Sequence, residues 1–138
     1  STRPYSRPDS SSYNYYLNLK TMSKFKITSH KGFNLTFNNG WQVSVQFGPG
    51  NYCERQEDNY DSPKNSEFWS SNNAEIAVWH SSNKLETGNM VKLEDDVVRG
   101  WTTADEVAKV IHLVSTAESD FTSEEMTRIL NYVWKEVA

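Results

Sequence analysis

The sequence is expected to give an α+β domain: an antiparallel β-meander of four to five strands followed by two C-terminal amphipathic helices. Three observations predict it. Between residues 25 and 47 apolar side chains recur at every second position, the period of a strand with one buried face. After residue 104 they recur at helical spacing, the period of a helix with one buried stripe. The strands precede the helices instead of alternating with them, which argues against a parallel sheet built from βαβ units.

Residues 1–21, STRPYSRPDSSSYNYYLNLKT, are dominated by serine, tyrosine and proline and show no apolar period until their end. They are expected to be a disordered or expression-derived leader. Met22 opens MSKFKITSH, and residues 22–138 are read as a single α+β domain.

Phe25 and Ile27 alternate with polar residues, as do Phe33, Leu35 and Phe37, and then Trp41, Val43, Val45 and Phe47. A three-residue loop Asn38-Asn39-Gly40 pairs Leu35 with Val43 and Phe33 with Val45, keeping the apolar sets on one face. That loop wants a left-handed residue at its third position, which Gly40 supplies. Gly40→Val is therefore expected to cost more than about 1 kcal/mol, with Asn39→Gly far milder. The same logic on His30-Lys31-Gly32 pairs Ile27 with Leu35 and Phe25 with Phe37. After a long loop, AEIAVWH (74–80) reads as a fourth strand, with its buried face undecided between Ile76/Val78 and Ala77/Trp79. SSNKLETGN reads as a turn, and NMVKLEDDVVRGW holds a short fifth strand.

The helices carry clear start signals. Thr103 with Glu106 forms a capping box ahead of a stripe of Val107, Val110, Ile111 and Val114 on residues 104–117. Thr122 with Glu125 forms a second, with Phe121 and Met126 as a hydrophobic staple. Met126, Ile129, Leu130, Val133, Trp134 and Val137 make its stripe. Two such stripes exceed what a thin sheet covers, so self-association into a homo-oligomer is expected.

Composition excludes more than it assigns. The net charge is −4 with no basic cluster, so a nucleic-acid polymer is not an expected partner. No apolar run approaches the length of a bilayer span, so no membrane partner is expected. The single cysteine, Cys53, cannot form an internal disulfide, which fits a reducing cytoplasm. It reads as a small buried hydrophobe. His30, His80 and His112 have no metal-ligand spacing, and the acidic run Glu94, Asp95, Asp96 reads as a solvated turn. With no catalytic motif and no cofactor signature, a binding protein is expected in place of an enzyme.

Two stretches are the candidate site. VVRGWTTADE sets Arg99, Trp101, Thr102 and Thr103 just before a helix N-terminus, where unpaired N–H groups favour an anion. Arginine adds a bidentate clamp for phosphate, and tryptophan a stacking face for a base. Ordinary helix capping is the competing account. The second stretch is FGPGNYCERQEDNYDSP. The strand must end at Gly48-Pro49-Gly50, leaving Asn51, Tyr52 and Glu54 at the rim of the sheet. A mobile surface loop is the alternative there.

KGFNLTFNNGWQVSVQFGPGNYCE, NAEIAVW and VVRGWTTADEVAKVI resemble a group of small phage-encoded proteins similar to the Thoeris anti-defence protein one family. The resemblance covers residues 22 to about 117, and the second helix matches only in type. It implies a sheet with helices, oligomeric assembly, and sequestration of cyclic ADP-ribose isomers or, in some members, cyclic oligonucleotides. The expected function is thus a non-enzymatic anti-defence protein in the host cytoplasm that binds a small cyclic nucleotide-derived signal. Arg99 with the backbone at Thr102 and Thr103 would hold phosphate. Trp79 or Trp101 would stack the base, and Asn51, Tyr52 and Glu54 would address ribose. A protein–protein inhibitor of a host enzyme and a minor virion structural or assembly protein are the competing classes.

Overall fold

Gly40 has φ 90°, and the hairpin it closes has the expected register. Strand β2 (Gly32–Thr36) pairs antiparallel with β3 (Trp41–Gln46), setting Leu35 opposite Val43 and Phe33 opposite Val45. The computed structural model describes residues 23–29, 31–59, 70–83 and 90–135. The leader 1–21, His30, the turn over 84–89 and Val137 lie outside the described residues.

The first hairpin differs from expectation. Strand β1 (Lys24–Thr28) pairs Phe25 with Leu35 and Ile27 with Phe33, and Thr28 with Gly32. The connection is therefore 29–31, and Lys31, not Gly32, takes the left-handed conformation at φ 61°. Gly32 has a different duty. A Cβ built there would lie 2.1 Å from the Val45 carbonyl oxygen and 2.8 Å from Gln46 Cα, so only glycine admits this approach of β2 to β3. The slip is two residues, which preserves the face of every side chain.

Strand β4 (Asn73–His80) joins β3, and β5 (Val98–Thr103) joins β4, giving one antiparallel sheet in the order β1-β2-β3-β4-β5. Val43 faces Val78 and Val45 faces Ile76, which resolves the β4 ambiguity: Ile76 and Val78 face the core, while Trp79 pairs with Gln42 on the other side. Only the end of the stretch 89–101 is strand, and β5 runs directly into the helix instead of leaving a loop before it. Val91 and Leu93 are still fully buried, in a connection closed by the Leu93 N–H donating to the Asp96 carbonyl.

Helix α1 (Ala104–Ser115) and helix α2 (Ser123–Lys135) begin with the two expected capping boxes. Val107, Val110 and Val114 of α1 and Met126, Leu130, Val133 and Trp134 of α2 are buried against Trp41, Val43, Val45, Ile76 and Val78. No described helix is long and apolar enough to cross a membrane.

Asn39 also departs from expectation. Its Nδ2 donates to the carbonyls of Val114 (2.8 Å) and Ala117 (2.9 Å), and its Oδ1 accepts from the Trp41 N–H. One turn side chain thus satisfies carbonyls at the end of α1 and ties the β2–β3 hairpin to the helix. Asn39→Gly, which removes these bonds, is therefore expected to be costly and not mild.

The sheet is wider than its helical cover. Two apolar rows cross it, Phe25–Leu35–Val43–Val78 and Ile27–Phe33–Val45–Ile76. They end in full burial under α1 but begin almost bare: Phe25 is 84% exposed and Ile27 89%.

Candidate functional site

The fold brings the two candidate stretches together. Between the pairs Ala74–Thr102 and Ile76–Arg99 the register of β4 and β5 shifts, leaving Gly100 and Trp101 opposite Glu75 alone, a bulge. At this bulge the Trp101 N–H donates to the Tyr52 carbonyl (2.9 Å). The rings of Tyr52 and Trp101 stack, with centroids 6.0 Å apart and planes at 20°. Both are large aromatics left about half exposed, at 47% and 53%.

Local backbone chemistry explains this contact. Trp101 has φ 49°, a left-handed conformation that a bulky residue adopts only when its surroundings impose it. The neighbouring glycine does not absorb the turn; it makes room. A Cβ on Gly100 would lie 2.6 Å from Tyr52 Cβ and 2.9 Å from its carbonyl oxygen. The loop is fixed from its other side as well. Glu54 accepts from both the Asn72 backbone N–H and its Nδ2, and the Glu54 N–H donates to Asn73 Oδ1 (2.7 Å). Asn51 is buried and its Nδ2 donates to the Gly48 carbonyl. Cys53 is buried, its thiol 3.7 Å from the same carbonyl, and burial pushes the thiol pKa up. That suits a packing residue and not a nucleophile.

Most of the other candidates are occupied by the fold. Arg99 Nε donates to Glu94 Oε1 (2.8 Å), Nη1 donates to Thr102 Oγ1 (3.2 Å) and lies 3.6 Å from Glu106 Oε1. Its guanidinium carbon sits 4.5 Å from the Trp134 ring centroid. Two carboxylates and an indole thus hold this cation, which ties β5 to α1 and α2. Thr103 is the N-cap of α1, its hydroxyl accepting from the Glu106 N–H (3.2 Å). Thr102 is fully buried, donating to the Arg99 carbonyl (3.1 Å). Trp79 is not brought to this group. It lies five positions along β4 from the partner of Thr102, on the order of 16 Å at strand rise.

A cleft missed by the sequence reading lies beside this edge. It measures about 360 Å³ and is lined by Phe33 and Val45 on the sheet, Phe47 just past β3, Asn72 and Asn73 where β4 begins, and Thr102 and Val107. Thr102 faces this cleft, whereas Trp101 does not line it. The signal for it was a sheet too broad for one helix to cover, which pattern reading registers only as surplus apolar surface. Among the described residues, no group of three histidine, cysteine, aspartate or glutamate side chains is placed to hold a metal ion.

Comparisons of this chain with protein-family models, with curated proteins and with solved structures give no match.

Proposed function

We propose that the protein is a non-catalytic binding protein that sequesters a small cyclic nucleotide-derived ligand, with the ligand base stacked on the Tyr52–Trp101 pair. One observation carries this reading: a strained, bulged edge strand holds an exposed Trp in stacking register with a loop Tyr. Strain at a surface aromatic has to be supported by contacts elsewhere, and such outliers collect at binding sites. A base gains about 1–3 kcal/mol from an aromatic face without needing a sequence-specific contact. Arg99 serves this site indirectly, by holding β5 against the helices, and does not act as the phosphate clamp. Thr103 caps the helix, and Asn51 and Glu54 shape the loop that presents Tyr52. The ligand class, the anti-defence role and the cytoplasmic setting rest on the sequence resemblance. Self-association would use the outer groove between α1 and α2, where Leu113, Ile129 and Tyr132 are presented.

Calorimetric titration of the purified protein with cyclic ADP-ribose isomers and cyclic oligonucleotides tests the reading. Binding is expected, with Trp101→Ala and Tyr52→Ala each weakening it about ten-fold or more. Affinity unchanged in both variants, or no binding by the intact protein, overturns it and leaves a protein–protein inhibitor as the better account.

A further inference from the structure

We propose that the outer edge of β1 is a docking site for an extended peptide strand in which acidic and apolar residues alternate. Strand β1 ends the sheet, and among the described residues no strand pairs with its outer edge. A sheet edge is a row of unpaired backbone donors and acceptors, and adding a strand to it is a standard mode of peptide capture.

The side chains on this edge specify the partner. On one face, Phe25 and Ile27 stand 84% and 89% exposed at the head of the two apolar rows that cross the sheet. An added strand would lengthen both rows by one residue, so its apolar residues belong opposite Phe25 and Ile27. On the other face stand Lys24 and Lys26, both exposed. Their neighbours across β2 and β3 are Thr36, Gln42, Asn34 and Ser44, all uncharged. The acidic side chain on this face of β1 to β4 is Glu75, three strands away, on the order of 14 Å. The two lysines have no ion-pair partner among the described residues. Carboxylates on the incoming strand would supply one.

The same charges disfavour a second copy of this chain. Two-fold antiparallel pairing of β1 with itself over all five residues centres on Lys26, setting that lysine directly against its own copy. Like charges directly opposite destabilise a strand pair. Lysines on an edge guard against indiscriminate pairing; here they favour a partner of opposite charge.

The test uses the full chain and two fluorescein-labelled short peptides, one alternating valine with glutamate and one alternating valine with lysine, followed by anisotropy. The valine–glutamate peptide is expected to bind, at least about ten-fold more tightly than the valine–lysine peptide. The double variant Lys24→Glu/Lys26→Glu should reverse the preference, and Ile27→Asp should abolish binding with the far-ultraviolet circular dichroism unchanged. Equal binding of both peptides, binding of neither, or no reversal in the double variant overturns the proposal. So does self-association of the free protein that Phe25→Glu abolishes, since a second copy would then own the edge.

Discussion

The backbone N–H of Trp101 donates to the carbonyl oxygen of Tyr52 at 2.9 Å, and the rings of the same two residues stack. The contact joins a bulge on the edge strand to the loop that follows the glycine-rich exit of β3. It depends on Gly100, whose missing Cβ is what lets the Tyr52 backbone approach.

Gly100→Ala is therefore expected to destabilise by about 1–3 kcal/mol, as other overpacked contacts do. Trp101→Gly removes the ring but also relieves a left-handed conformation costing about 1–2 kcal/mol in a non-glycine residue. Its net effect should stay within about 1 kcal/mol. Urea denaturation midpoints of the two variants check the contrast, and a Gly100→Ala variant as stable as the parent would mean that Gly100 is not tightly packed.

Arg99→Ala should also lower stability, by about 1–2 kcal/mol, because it strips Glu94 and the largely buried Glu106 of their cation and uncovers Trp134. Glu94 is half exposed, so a double-mutant cycle between Arg99 and Glu94 should return less than about 1 kcal/mol of coupling. Thr103→Ala should cost about 1 kcal/mol through loss of the N-cap. Thermal unfolding of the set separates these effects; a neutral Arg99→Ala would free that side chain for a ligand after all.

Asn39→Ala should cost about 2 kcal/mol, at least as much as Gly40→Val, since it breaks bonds to the Val114 carbonyl in the last turn of α1, to the Ala117 carbonyl just beyond it and to the Trp41 N–H. Chemical denaturation of the two variants side by side checks the order. A harmless Asn39→Ala would show that the α1 terminus is satisfied by other groups.

Acid stability should depend on Glu125. The Thr122 backbone N–H and then its hydroxyl hold the Glu125 carboxyl below the ordinary carboxylate range. The folded state binds that proton less readily than the unfolded chain. The contribution is thus fully present above the unfolded value, about pH 4.3, and is lost as pH falls through the lower folded value. Glu125→Gln should flatten the acid limb of a stability-versus-pH curve below about pH 4.3 while leaving its shape near neutrality unchanged. An identical acid limb in the variant would show that the capping carboxylate carries no such linkage.

What the sequence by itself determined was periodicity and local chemistry. The strand alternation, both capping boxes and the Asn38-Asn39-Gly40 loop are local patterns, and each appears in the structure where the residues place it. Pairing by period also fixed which face of β1 is apolar even though the register was off by two, because faces repeat every second residue. Tertiary structure decided everything that depends on a distant neighbour. Gly32 and Gly100 look like turn residues, yet Lys31 and Trp101 beside them take the left-handed conformations, and the glycines are needed because Val45 and Tyr52 come too close for a Cβ. Arg99 looks like a free cation next to a helix entrance, yet Glu94, Glu106 and Trp134 surround it. Asn39 looks like a replaceable turn residue, yet it closes the far end of α1. A side chain's own period dictates its face, but its partner is set by which backbone the fold brings within a few ångströms, and no local pattern encodes that distance.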